Sequence, residues 1–282
     1  MDAHGNTEVG EKSPRRKEGK SLFKVNDVQC ARFIMHKGDK MRIAIVTAMA
    51  EETMPILKAL GSHLKDESKI AGVDVRQFEC GTNTIYLATS GVGEIKAALA
   101  VQLLKDLFDV EAVVNLGFVG ALNPALSIAE LVVAERVCHY QFDISTLNGI
   151  EVGRYSDHED RYFYLDKELI TRLLANVGRP IRRVTVASGD KFVSSMESKK
   201  PLREDFCADI CEMELAGLAI ACERNNIPLL SVKVVSDKAD EGALVDFNEI
   251  LERGIAKYTE ILPAIFEALE GTSSPLPPIK RR

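Results

Sequence analysis

Three carboxylates stand where an α/β chain can use them: Glu52, Glu214 and Asp237. Glu214 lies in Glu212-Met213-Glu214-Leu215-Ala216-Gly217-Leu218-Ala219-Ile220, which reads as an apolar helix, Met213 to Asn225, opening with two acids that a core helix does not need. Asp237 follows Leu229-Leu230-Ser231-Val232-Lys233-Val234-Val235-Ser236, a run with the character of a buried strand. A carboxylate carried to the end of such a strand must meet water, a metal, a cation or a ligand, because burying it unpaired is costly. Glu51 and Glu52 sit where a first strand passes into a first helix, and a helix N-terminus favours each acid by about 0.3–1 kcal/mol. That accounts for Glu51. Glu52 is also placed to converge with Glu214 and Asp237 at one end of a sheet, where α/β proteins bind their ligands. Grouped acids of this kind suit proton transfer, with contributions of about 10²–10⁴-fold each. Three of them in one pocket repel, so one should carry a raised pKa.

Glycine-bearing segments lie beside these acids: Thr89-Ser90-Gly91-Val92-Gly93, Asn115-Leu116-Gly117-Phe118-Val119-Gly120 and Ser188-Gly189-Asp190-Lys191-Phe192. Each is expected to be a turn after a strand, with amides open to a ligand's polar atoms. None has the spacing of a P-loop or of a dinucleotide fingerprint.

The elements that must position these groups alternate. Strands are expected over 43–48, 73–78, 84–90, 112–116, 131–137, 184–187 and 229–236. Helices are expected over 51–60, 95–108, 167–177, 213–225 and 247–269, the last with Asp246 and Glu249 as a capping box. Such alternation implies a single α/β domain with a central mixed, mostly parallel sheet flanked by helices on both faces. Residues 1–40 are polar and expected to be a disordered extension; 41–270 form the domain, and 271–282 a second disordered tail.

Composition excludes several classes of function. Among 282 residues the net charge is −6, so no basic field argues for nucleic acid or an anionic membrane surface. Apolar runs fall short of the roughly 20 residues that span a bilayer. Six cysteines, at 30, 80, 138, 207, 211 and 222, include no CxxC, which points to reduced cytoplasmic thiols without a metal. Cys207 and Cys211 are spaced for one helical face.

Taken in order, Ala48-Met49-Ala50-Glu51-Glu52, Ser90-Gly91-Val92-Gly93, Asn115-Leu116-Gly117 with Gly120, Ser188-Gly189-Asp190-Lys191-Phe192, Glu212-Met213-Glu214 and Val235-Ser236-Asp237 resemble the 5′-methylthioadenosine/S-adenosylhomocysteine nucleosidases of the nucleoside phosphorylase superfamily. The resemblance covers about 41–269 and implies a three-layer sandwich that hydrolyses an N-glycosidic bond with no cofactor. It implies that Asp237 protonates adenine N7 as general acid, with Ser236 orienting it, and so makes Asp237 the acid expected to carry the raised pKa. Glu52 then activates water as general base, Glu214 accepts bonds from the ribose hydroxyls and Met213 packs on the sugar. Phe192 and the backbone of Val193 hold the purine, and Gly117 and Phe118 line the floor. The partners implied are a small nucleoside and, as a homodimer, a second copy of the chain.

The chain departs from that family at Gly117-Phe118-Val119-Gly120-Ala121, where relatives carry Gly-Ser/Thr-Ala-Gly-Gly, and over His139–Ser145. Phe118 in place of a hydroxyl residue, with no arginine on the Ser90 or Gly117 segments, favours water over phosphate as nucleophile. A phosphorylase and a nucleoside-binding protein without catalysis stand as the alternatives.

Overall fold

The computed structural model describes residues 40–241 and 243–269, with 148, 243–249 and 251–255 described in backbone only. Of the two expected tails, 1–40 and 271–282, all but residue 40 lies outside the described residues. β1 (Arg42–Thr47) is hydrogen-bonded in parallel to β4 (Asn83–Thr89) on one side and to β5 (Ala112–Ala121) on the other. These strands are buried along nearly their whole length, which is why they run apolar instead of alternating. α1 (Ala50–Leu60) leaves the end of β1, and α2 (Glu94–Phe108) supplies the crossover that a parallel return from β4 to β5 requires. β3 (Val73–Cys80) extends this part of the sheet by pairing antiparallel with β4, and β2 (Leu64–Ile70) by pairing antiparallel with β3.

Beyond β5 the sheet closes on itself. β10 (Leu229–Asp237) pairs in parallel with β5 and antiparallel with β6 (Leu131–His139). β6 pairs with β8 (Arg182–Ser188), β8 with β9 (Ile210–Glu212), and β9 returns to Gly120 and Ala121 of β5. The last strand, β7 (Tyr162–Tyr164), lies outside this circuit on β6. The remaining helices are α3 (Ser145–Asn148), α4 (Lys167–Asn176), α5 (Met196–Asp205), α6 (Leu215–Asn225) and α7 (Ala243–Leu269). α7 packs on α1 and α4, while α2 packs on α6, so helices cover the sheet in two groups. No helix among the described residues is long and apolar enough to cross a membrane.

Several expectations need correction. Asn115–Gly120 is not a turn: β5 continues to Ala121, because β10 and then β9 satisfy its backbone groups through Gly120 and Ala121. The helix expected from Met213 starts at Leu215. Glu212 ends β9 in register with Ser188, and its carboxylate accepts the N–H groups of Glu214 and Leu215 that begin the turn into α6. Cys207 and Cys211 share no helical face, since Cys207 sits in a loop at φ +50° and Cys211 in β9. α7 begins at Ala243, so Asp246 is inside the helix and not its N-cap; the side chains of 243–249 lie outside the described residues.

Candidate active site

Glu52 is held by the bend that joins β1 to α1. Its Oε2 accepts the backbone N–H of Ala48 at 2.8 Å and of Met49 at 3.1 Å, and its Oε1 accepts that of Phe118 at 2.9 Å. Three amides fix this carboxylate as an acceptor across two neighbouring strands. Burial pushes its pKa above the ordinary value, outweighing the amides and the ammonium of Lys233, which pull it down. Gly117 passes between these groups: a Cβ there would sit 3.1 Å from Glu52 Oε1 and 3.2 Å from Lys233 Nζ.

Asp237 ends β10 at a register shift beside Gly120. Ser236 Oγ lies 2.7 Å from its Oδ2, and the Ala239 N–H donates to its Oδ1 at 2.8 Å. The absent Cβ of Gly120 makes this approach possible, since one would lie 3.0 Å from Asp237 Oδ1 and 3.2 Å from Cys211 Sγ. Both Ser236 and Asp237 are buried.

Glu214 occupies the N-cap position of α6. Its Oε1 accepts the Gly93 N–H at 3.0 Å, and its Oε2 that of Met213 at 3.3 Å. Asp190, in the loop after β8, accepts the next amide of α2, from Glu94, at 2.8 Å. The amides of the glycine segments therefore hold the protein's own acids. Burial, then the charge of Glu212, pushes the Glu214 carboxyl up to about 7.

Behind Glu214 lies a group of partners that the sequence reading did not connect. Lys233, 1 % exposed in the middle of β10, reaches Glu212 Oε2 at 3.2 Å. Glu212, one of the two acids expected to open the helix, instead ends β9; it accepts the Leu215 N–H from there and is buried. The signal for Lys233 was available: a lysine inside Leu-Leu-Ser-Val-Lys-Val-Val must find a carboxylate or stay uncharged.

Glu52, Phe118, Val119, Gly120, Phe192, Val193, Met213, Glu214, Ser236 and Asp237 line one cavity of about 370 Å³, a volume in the range of small-molecule sites. Ala48, Met49, Val92, Lys191, Cys211 and Glu212 complete its wall. Phe192 is 47 % exposed at its mouth, whereas Val193 is buried. Gly117 is not on the wall; it lies in β5, between Glu52 and Lys233. Phe118 turns its ring edge-on to Tyr258 of α7, with centroids 5.6 Å apart. His139 is also off the wall, its Nδ1 2.9 Å from the Tyr155 hydroxyl, with burial lowering its pKa. No group of three or more His, Cys, Asp or Glu side chains that could hold a metal ion occurs among the described residues.

Comparison with known proteins gives this arrangement its relatives. Residues 42–267 match the model of the Phosphorylase superfamily. An aminodeoxyfutalosine nucleosidase of Campylobacter jejuni is 32% identical over 217 residues, covering 75% of this chain and 92% of that protein. A 5′-methylthioadenosine/S-adenosylhomocysteine nucleosidase of Buchnera aphidicola is 27% identical over 229 residues, with 79% and 97% covered. Among solved structures, a 5′-methylthioadenosine/S-adenosylhomocysteine nucleosidase of Helicobacter pylori, complexed with a pyrrolopyrimidine–pyrrolidine compound, superposes with a TM-score of 0.77 at 27% identity, covering 82% of this chain and all of that one. The futalosine hydrolase of the same organism superposes with a TM-score of 0.76 at 27% identity, with 81% and 98% covered.

Proposed function

Because this chain belongs to the phosphorylase superfamily, and within it to the nucleosidases, we propose that it hydrolyses the N-glycosidic bond of a 5′-substituted adenine nucleoside in the cytoplasm. The substrates proposed are 5′-methylthioadenosine, S-adenosylhomocysteine and 5′-deoxyadenosine. One observation carries the reading: Glu52, Glu214 and Asp237, from three separate elements, share a single cavity with Met213 and Phe192.

In this reading Phe192 stacks on adenine and the Val193 backbone bonds its edge, while Asp237, oriented by Ser236, gives a proton to N7. The C1′–N9 bond then breaks with its electron pair leaving on the base. Glu214 holds the ribose hydroxyls, and Met213 lies on the sugar. Glu52 takes a proton as water oxygen bonds to C1′; its raised pKa suits a base. No metal or organic cofactor enters these steps.

Water is favoured over phosphate by the charge of the wall. Glu52, Glu212, Glu214 and Asp237 line it, against the single cation Lys191, while Lys233 is committed to Glu212. Hydrolysis of aminodeoxyfutalosine is the second reading, favoured by the 32% identity with the Campylobacter jejuni protein. For the homodimer, the supporting observation is a run of exposed apolar residues that starts at the cavity wall with Val92 and continues on α2 with Ile95 and Leu99, Ile95 being 79 % exposed. A second copy would cover it, and light scattering that finds only monomer at micromolar protein would refute this.

The deciding experiment is adenine release in phosphate-free buffer from 5′-methylthioadenosine, with S-adenosylhomocysteine, 5′-deoxyadenosine and aminodeoxyfutalosine in parallel. Release without phosphate is expected, and the relative rates rank the 5′ groups. Release only after phosphate is added would make the protein a phosphorylase, and tight binding with no product would make it a binding protein.

A further inference from the structure

Ser188 Oγ is buried among three partners. It accepts the Ala216 N–H at 3.0 Å, and it touches two carboxyl oxygens, Glu212 Oε1 at 2.5 Å and Glu94 Oε1. A hydroxyl has one proton to give, so it can donate to only one of these oxygens. The other contact needs a proton on the carboxyl itself, because two bare acceptor oxygens do not rest at hydrogen-bond distance. Glu212 is the poorer place for that proton. Its oxygens face the Lys233 ammonium and the amides of Glu214 and Leu215, all of which favour the anion. Glu94 has no cation within ion-pairing distance among the described residues, and its Oε2 takes one amide, from Gly217.

We infer that Glu94 is a neutral carboxylic acid in the folded protein, donating to Ser188 Oγ, which in turn donates to the Glu212 carboxylate. Glu94 is then a positioning residue: its proton spares Glu214 a second buried anion behind it, which favours the carboxylate form of Glu214 that binds ribose. That last role rests on the function proposed above; the proton assignment does not. The groups facing Glu94 are Glu212 of β9, Glu214 at the start of α6, Asp190 after β8, and Tyr140 and Tyr155 beyond β6. All are acidic or neutral, and the buried Lys233 is bound to Glu212, not to Glu94. In accord with this, burial and then the Glu212 charge push the Glu94 carboxyl up to about 8.

Glu94→Gln tests the assignment, because an amide can donate to Ser188 through nitrogen and accept from Gly217 through oxygen, as the neutral acid does. With the proposed substrates, Glu94→Gln should keep kcat/KM within about threefold of the wild type at neutral pH. The wild-type KM should rise as pH passes about 8, and that rise should be absent in the variant. Glu94→Ala, which strands Ser188 and the Gly217 amide, should raise KM about tenfold or more at every pH. Two readouts stand without turnover. Infrared difference spectra should show a protonated-carboxyl band in the wild type at neutral pH that Glu94→Gln lacks. The Tm of Glu94→Gln relative to the wild type should climb between pH 4.5 and about 8, where the wild type alone must hold a proton that its unfolded chain releases. Absence of the infrared band, a flat Tm difference, or a Glu94→Gln variant as impaired as Glu94→Ala would each overturn the inference. If the wild type cleaves no nucleoside, the functional reading fails, and the band and the Tm difference still decide the proton.

Discussion

Asp237 and Glu214 divide the proposed chemistry between them, and single substitutions separate their parts. Asp237 is seated by Ser236 Oγ and the Ala239 amide, contacts that an asparagine can largely keep. Asp237→Asn should therefore lower kcat by about 10²-fold or more while nucleoside affinity stays within about tenfold, since the proton matters mainly in the transition state. Near-normal turnover in steady-state assays would remove it as the acid. Glu214→Gln should weaken KM as well as kcat, because this group is proposed to grip ribose in both states; an unchanged KM would refute that. Asp237 and Glu214 were legible as acids at the ends of apolar runs. Lys233 and Glu94 were not read as their support, because a lone lysine or helix-first glutamate acquires meaning only from its partner.

At the scale of elements, the approach of α2 to α6 sets the geometry of the site. The N-terminus of α2 gives Glu214 its Gly93 amide, and Gly217 of α6 lets the two helices meet there. A Cβ on Gly217 would lie 2.2 Å from the Glu94 carbonyl oxygen, which is backbone and cannot rotate away. Alanine is the better helix former by about 1 kcal/mol, yet overpacking of this kind costs about 1–3 kcal/mol. Gly217→Ala should then lower the denaturant midpoint and raise KM together; a stabilised variant with unchanged KM would show that the helices part without consequence. The elements missed in the sequence have physical reasons. β2 is a charged edge strand, Leu-Lys-Asp-Glu-Ser-Lys-Ile, paired on β3 alone, and its polarity protects an edge while hiding its period. β7 and β9 are three residues long, too short to display any period. α5 carries Pro201 and a mostly polar sequence.

Across the whole molecule, the buried acids tie stability to pH. Glu94, raised to about 8, and Glu214, raised to about 7, keep protons in the folded chain up to those values, whereas the unfolded chain releases them above about 4.5. Stability should accordingly fall as pH rises, by ~1.4 kcal/mol per pH unit for each group while it remains protonated only when folded. His139 works the other way below its ordinary value of 6.5, being buried neutral, so the decline should be clearest between 6.5 and 8. Urea midpoints measured across that range check it, and a rising midpoint would contradict these assignments. By itself the sequence determined the α/β alternation, the family resemblance and the acids at strand and helix ends, because each depends on local period or on neighbours in the chain. The tertiary structure alone decided that β5 runs on through Gly117 to Ala121, that the strands β5, β10, β6, β8 and β9 close into a circuit, and that Lys233, Glu212, Ser188 and Glu94 meet behind Glu214. Those outcomes depend on partners as far apart in the chain as Glu94 and Gly217, 123 positions, and no local pattern encodes which buried charge will find which counter-charge.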